Sequence, residues 1–436
     1  MRSRIGSFLA ATAIAVPLLS AFAAPGGEAR YAFGSAGVGD SLFPNAGNGG
    51  YDVDHYDLDL AYDPASDRLH GVVEIHATAT ADLSRFDLDF RGLQISRLLV
   101  NGLPSDYRRD GQELVITPRP KLKAGKSFVV LVEYAGVPEV IINDVGGMNG
   151  WIPTDDGAFV ANEPQGAPGW FPSNDTPRDK ATIDIAVTVP DGLVAMSNGT
   201  LASHVSAGGF TTWRWHEPEP IATYLVTATV GVFDLSETTL ADGTLVMLAF
   251  DPAHTDRAVF DRLPEMMEFM TDRFGPYPFG SVGAIVDNAP DIGYALETQT
   301  KPLFSILPRE SVIAHELTHQ WFGDSVTPAD WADIWLNEGF ATFGDFLWRE
   351  HTGGPTLAQS FQQFMAVPAA APFWSQPPAN PGSPARMFDN FAVYLRGAAT
   401  LQALRAKVGD DVFFGILRDW AAEHRWGNVT TADFIA

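Results

Sequence analysis

The sequence predicts a multidomain α+β protein, with a β-rich domain over residues 51–237 followed by a mainly helical domain over 238–436. Three observations carry that expectation. The chain has 436 residues, more than one usual domain. From Tyr51 onward, short runs alternate apolar and polar positions between turn residues. After "GTLVMLAFDP" the apolar spacing becomes helical, and beyond Pro308 helices dominate.

Composition narrows the function classes. Hydrophobic residues make up 46% and charged residues 19%, which suits a folded chain with large cores. Lys and Arg number 28 against 53 Asp and Glu, a balance of −25. No basic footprint for a phosphate backbone exists, so nucleic acid is not an expected partner. The acidity favours cationic ligands such as free amines. With 0 cysteines, disulfides, thiolate ligands and a cysteine nucleophile are all excluded.

The N-terminus reads as a targeting segment. Arg2 and Arg4 precede an apolar run from Ile5 to Phe22, and Ala21-Phe22-Ala23 supplies a small-residue cleavage site. A membrane anchor is the rival reading; Pro17 and the run of 18 apolar-biased residues, short for a span, argue against it. A cleaved signal peptide over 1–23 is expected, and with it export to the periplasm or the exterior. No later segment is apolar enough to span a membrane, so none is expected in the mature chain. Residues 24–50, rich in Gly, Ala and Ser, are expected to form a linker or weakly held arm.

The elements follow in order. "YDVDHYDLDLAYD", "GVVEIHATATADL", "FDLDFRGLQISRLLVNG", "ELVITP" and "SFVVLVEYAG" read as strands, and "KATIDIAVTVP", "LVAMSNGTL", "TTWRWHE" and "TYLVTATVGVFDL" continue the pattern. "DRAVFDRLPEMMEFMTDRFG" places Val259, Phe260, Leu263, Met266, Met267 and Met270 at helical spacing, with Pro264 kinking or restarting the helix. Pro308 can open the next helix and Gly323 can close it.

That helix carries "HELTH". His315 and His319 lie one turn apart, so both imidazoles leave the same face and can reach one metal ion. Glu316, between them in sequence, points elsewhere but can take a proton from a water at the metal. Taken alone, the pattern also fits two half-buried histidines on an amphipathic helix. A catalytic zinc needs a third protein ligand, and "WADIWLNEGFATFGDFLWRE" offers Glu338, hemmed by Trp, Leu and Phe, where an unpaired carboxylate would be costly. The two features together point to zinc.

"HELTH" followed after 18 residues by the Glu of "NEGFA" resembles the zinc aminopeptidases of the aminopeptidase N family. "NEPQGAPGWFPSNDTPRDKATIDIAVTVP", "FGPYPF", "HQWFGDSV" and "VYLRGAATLQALR" are similar to the same family, and the resemblance runs from about Tyr51 to the end. It implies a saddle-like β-sandwich domain, then a thermolysin-like catalytic domain holding one zinc through His315, His319 and Glu338. It also implies that the family's long C-terminal helical domain is absent or truncated here. The family's G-A-M-E-N motif, which anchors the substrate's α-amine, falls on "YALETQT"; this places the anchor at Glu297, with Thr298 for the motif's Asn and Tyr294 for its first Gly. A second anchor, nine residues before Pro172, falls on Glu163. The family's oxyanion-stabilising tyrosine falls on Tyr394 of "YLRGA", with Arg396 for the usual Lys.

The expected function is therefore that of an exported zinc aminopeptidase acting on peptides with a free N-terminus, Glu316 and Tyr394 being catalytic. A zinc endopeptidase and a non-catalytic peptide-binding surface protein are the rivals. Oligomeric state is not set by any of these features.

Overall fold

The computed structural model describes residues 31–436. The expected signal peptide over 1–23 lies outside the described residues, as does the start of the expected arm.

The strand Tyr51–Asp63 shows why alternation forms a sheet. Tyr51, Val53, Tyr56, Leu58, Leu60 and Tyr62 are buried and the residues between them mostly exposed. A bulge between Val53 and His55 shifts the buried set from odd to even positions, as one extra residue must. This strand lies at the centre of an eight-stranded sheet among the described residues, antiparallel to Arg68–Ala79 and parallel to Lys180–Pro190.

Two smaller sheets cover the inner face. Phe86, on Leu83–Asp89 of a four-stranded sheet, packs edge-on against Tyr51 and Phe128 at 5.7 and 5.3 Å between ring centres. Trp151, on Met148–Pro153 of a five-stranded sheet, meets Tyr62 at 4.9 Å. Sheet against sheet across a buried aromatic layer is the expected β-sandwich.

The following region combines a mixed sheet with helices. The sheet runs in the order Asp234–Thr239, Leu245–Phe250, Ser281–Val286, Leu303–Phe304, Ala295–Leu296, leaving Ala295–Leu296 at an edge. The strand Asp234–Thr239 pairs along its whole length with Leu245–Phe250. The expected boundary at 237 therefore cuts a strand, and the catalytic region begins before it. Helix α1, Leu263–Phe274, has Pro264 in its first turn after a tight turn at Ala258–Arg262, so the proline restarts the helix as expected.

Helix α2 is Glu310–His319, shorter than the 308–323 span expected. The Gln320 and Trp321 amides turn to the carbonyls of Leu317 and Thr318, a tightened last turn that ends the helix before Gly323. Helix α3 is Trp335–His351, α4 Leu357–Met365, α5 Arg396–Val408, α6 Asp410–Glu423 and α7 Thr431–Ile435. Among the described residues, no helix is long and apolar enough to cross a membrane.

Residues 31–50 correct the expectation of a weakly held arm. Ala32–Phe33 adds a parallel strand beside Leu83–Asp89. Asn48 donates to the Asp89 carboxylate at 3.1 Å. The buried carboxylate of Asp40 accepts from the amides of Leu42 (2.9 Å), Phe43 (2.8 Å) and Trp331 (2.8 Å). Ser41 donates to Asp330 at 2.7 Å. The arm thus fastens the β domain to the catalytic domain through polar groups that composition cannot reveal. Asp40→Ala deprives three amides of a charged acceptor, a loss of about 1–3 kcal/mol. Calorimetry is expected to show a melting temperature lower by a few degrees; an unchanged value would mean that the arm adds no stability.

Candidate metal centre and amine site

The site begins with two helices that touch unusually closely. A Cβ on Gly344 of α3 would lie 2.0 Å from the Thr318 hydroxyl of α2, so only glycine permits this approach. A Cβ on Gly339 would stand 2.9 Å from the Gly397 Cα, so a second pair of glycines lets α5 lie against α3. Gly339 follows Glu338, and Gly397 lies three residues after Tyr394. These glycines bring the histidines, Glu338 and Tyr394 to one place.

His315 Nε2 lies 3.2 Å from His319 Nε2 and 3.2 Å from Glu338 Oε2, and His319 Nε2 lies 3.4 Å from the same Oε2. Ligands at about 2.0–2.1 Å from a tetrahedral zinc stand about 3.3–3.4 Å apart, so the three atoms already mark one face of such a tetrahedron. His319 Nδ1 is 3.2 Å from the Phe322 carbonyl, to which it can donate. That bond leaves the Nε2 lone pair free for a metal. Two nitrogens and one carboxylate oxygen are a fitting donor set for zinc.

The remaining glutamates crowd the same place. Oxygens of Glu297 and Glu316 lie within 4.8 Å of each other and of a His319 nitrogen, and oxygens of Glu163, Glu297 and Glu338 lie within 4.8 Å of one another. Burial, then the neighbouring Glu297 and Glu338, pushes the Glu163 carboxyl well above its usual range. Burial and the same two neighbours do likewise to Glu316. Burial, and after it Glu338, raises Glu297. Glu338 itself is pulled down to about 2: burial opposes this, but His319 and His315 hold its charge. Burial lowers His315. Burial would lower His319 too, yet Glu297 and Glu338 hold it well above its ordinary value. Such a cluster calls for added positive charge.

One cavity of about 230 Å³ is lined by Glu163, Glu297, Glu316, His319, Glu338 and Tyr394. The Tyr394 ring stacks parallel to His315, 6.0 Å between centres, and its phenol is kept neutral by burial and then by Glu338. Tyr394 sits in a π-helical stretch, Asn390–Leu395, started by the Asp389 carboxylate on two amides. All seven residues singled out from the sequence therefore meet here. Glu163 Oε1 and Glu297 Oε1 are buried without a hydrogen-bond donor.

The structure also shows residues that sequence reasoning missed. Gln320, directly after His319, donates to the Glu297 carbonyl at 3.1 Å and accepts from the Thr300 amide at 2.8 Å. It joins the helix bearing the histidines to the segment bearing Glu297. Thr300 has φ 68°, a strained value for a β-branched residue; the Gly199 amide holds its hydroxyl at 2.8 Å. Thr298, standing for the family's Asn, closes the same turn by donating to the Lys301 carbonyl at 2.5 Å. Tyr294 donates to the Met148 carbonyl of the β domain at 2.5 Å. Arg396 donates to the carbonyls of Trp374 (3.1 Å) and Gln376 (2.6 Å). The "HQW" following the helix was the one signal in the sequence for Gln320.

A β-sandwich beside a helical domain, with a His-Glu-x-x-His helix facing a glutamate on the next helix, defines a zinc metallopeptidase of the gluzincin class. Residues 52–225 match the Peptidase M1 N-terminal domain and residues 295–436 the Peptidase family M1 domain. The chain belongs to the peptidase M1 family. The M1 zinc metallopeptidase of Deinococcus radiodurans superposes with a TM-score of 0.84 at 32% identity, covering 92% of each chain. A mutant of the D. radiodurans enzyme bound to a Tyr-Ser-Ala substrate superposes with a TM-score of 0.82 at 32% identity, covering 91% of this chain and 92% of that one. Rat glutamyl aminopeptidase is 26% identical over 87% of this chain and 44% of its own length. Aminopeptidase M1-C of Oryza sativa subsp. japonica is 29% identical over 60% of this chain and 32% of its own. The chain spans less than half the length of these curated relatives.

The donor set predicts that purified protein retains zinc and that His319→Ala loses it, because two ligands seldom hold the ion at chelator-competitive strength. Elemental analysis checks this; a full equivalent retained by His319→Ala would remove that residue from the ligand set.

Proposed function

We propose that this protein is an exported aminopeptidase that holds one zinc ion per chain through His315, His319 and Glu338 and hydrolyses N-terminal residues from peptides. One observation carries the reading: carboxylate oxygens of Glu163 and Glu297 that lack a hydrogen-bond donor stand in the same cavity as the cluster of His319, Glu316 and Glu338. Two carboxyl groups facing one cavity suit a substrate's α-ammonium, whose charge favours their ionised form. An endopeptidase, whose substrate runs through the cleft, has no use for them. The Tyr-Ser-Ala complex of the D. radiodurans relative supports a peptide substrate. Export rests on the Arg-flanked apolar run and the Ala-x-Ala site at residues 1–23.

When bound, zinc supplies Lewis acidity that polarises the scissile carbonyl and lowers the pKa of water. The protein's own groups do the rest. Glu163 and Glu297 hold the ammonium through charge-assisted bonds in a buried setting. The edge strand Ala295–Leu296 offers backbone groups to an extended substrate. Glu316 takes a proton from the attacking water and passes it to the leaving amine. Tyr394, neutral, donates to the developing oxyanion.

Glu316→Gln is expected to keep zinc and lose most turnover. Tyr394→Phe is expected to lower kcat by roughly 10²–10³-fold with a smaller change in KM, since its bond strengthens in the transition state. Steady-state kinetics with an aminoacyl reporter checks both, and a normal kcat in Tyr394→Phe would reject the oxyanion role.

Glu297→Ala is expected to raise KM for free-amine substrates about 10- to 100-fold, the worth of a charged hydrogen bond, with zinc content unchanged. The preference for a free over an N-acetylated peptide should shrink with it. A wild-type enzyme that cut both peptides equally would be an endopeptidase, and zinc-loaded protein that cut neither would be a binding protein.

A further inference from the structure

Glu297 is aimed by its backbone. Its Oε1 is buried without a hydrogen-bond donor, and His319 Nδ1 stands 3.9 Å from it. No hydrogen bond to that oxygen fixes its direction, so the main chain that carries it must. That main chain is arranged in an uncommon way. In a β-turn the carbonyl of the first residue accepts from the amide of the fourth. Over residues 297–300 both groups turn to Gln320 instead: its Nε2 donates to the Glu297 carbonyl at 3.1 Å, and its Oε1 accepts from the Thr300 amide at 2.8 Å. The turn one residue further on closes in the ordinary manner, the Lys301 amide donating to the Thr298 carbonyl at 3.1 Å.

Few side chains can make this insertion. It needs a donor and an acceptor side by side at the end of a long chain, which is the primary amide of glutamine. Gln320 is fully buried, so both polar atoms of that amide must be satisfied within the protein. The Tyr277 hydroxyl adds a longer contact to Oε1 at 3.5 Å. The turn that Gln320 holds is strained at Thr300, where φ is 68°. Such a conformation in a β-branched residue persists only where its surroundings enforce it, and strain of this kind gathers at functional sites. The β domain supplies a second hold. The Gly199 amide donates to the Thr300 hydroxyl and Asn198 Nδ2 to the Gln299 carbonyl, each at 2.8 Å. The segment bearing Glu297 is thus gripped at once by the helix of the histidines and by the β domain.

We propose that Gln320 is a positioning residue for the substrate's amine: standing in for the turn's own hydrogen bond, it places the Glu297 carboxyl, so that binding of a free N-terminus depends on Gln320 while retention of the metal does not. The inference rests on the aminopeptidase reading and adds to it a residue that acts through Glu297. The side-chain bonds of Gln320 run to Glu297, Thr300 and Tyr277, which is why the metal ligands are expected to stand without them. A misplacement of about 1 Å at a binding group can cost on the order of 100-fold.

The test uses the zinc-loaded full chain with an aminoacyl reporter, a free peptide and the N-acetylated form of that peptide. Gln320→Met keeps the length of the side chain and deletes both bonds. It is expected to retain its zinc, to raise KM for free-amine substrates about tenfold or more, and to leave kcat within about threefold. The preference for the free over the N-acetylated peptide should shrink with it. In a Glu297→Ala background the same substitution is expected to change KM by less than about threefold, because a residue that acts through Glu297 has nothing left to place. Thr300→Val removes the hydroxyl held by the β domain and is expected to raise KM in the same direction; it decides the outcome if Gln320→Met loses zinc or does not fold. A folded, zinc-loaded Gln320→Met with the wild-type KM, a loss confined to kcat, or an equal loss with and without Glu297 overturns the positioning role and leaves the aminopeptidase reading standing. An unmoved KM in Thr300→Val does the same where that variant decides. A wild type that cuts the free and N-acetylated peptides equally overturns both.

Discussion

Four glutamates, three of them buried and Glu163 half-buried, share one small space with two histidines, and the rest of the structure answers to that constraint. Carboxylates removed from water and set against one another resist ionisation, and three of the four here are raised for this reason. Glu338 alone is pulled the other way, because it meets both imidazoles. Added positive charge would stabilise such an arrangement, and the proposed zinc ion and substrate ammonium both supply it.

Holding such a site together requires close packing and cross-links. The glycine contacts at Gly344 and at Gly339–Gly397 bring the helices to distances that no larger residue tolerates. Gln320 ties the helix bearing the histidines to the segment bearing Glu297. Tyr224 reaches from the β domain to the Gly323 carbonyl at 3.0 Å, and Lys180 to the carbonyls of Asp324 (2.8 Å) and Ser325 (3.0 Å). The two domains are thus joined just behind the histidines, which keeps Glu163 in register with groups it does not share a domain with.

The departures from the family's motifs have physical counterparts. Thr298 lacks the amide of the usual Asn but closes the local turn with its hydroxyl. Tyr294, in place of glycine, gains a bond across the domain boundary. Arg396, in place of lysine, holds the carbonyls of Trp374 and Gln376. Each substitution changes what surrounds the site while Glu297 and Tyr394 stay in the common cavity.

Much of this was determined by local pattern. Alternation marked Tyr51–Asp63 as a half-buried strand, four-residue spacing put His315 and His319 on one face, and Pro264 marked a helix start; each depends on neighbours a few residues away, so each was legible in the sequence. Glu338 was legible because its neighbours are too apolar for a solitary carboxylate. Glu163, Glu297 and Tyr394 were reached only through motifs, since nothing near them in sequence shows that they converge. The arm was misread because Gly- and Ser-rich composition reports backbone freedom and not the buried Asp40 and Asn48 that pin it. The cross-link made by Gln320 and the strained turn at Thr300 were decided by the tertiary structure. Gln320 bonds to groups 20 and 23 residues away and Thr300 to an amide 101 residues away, and hydrogen bonds of that kind leave no period in the chain.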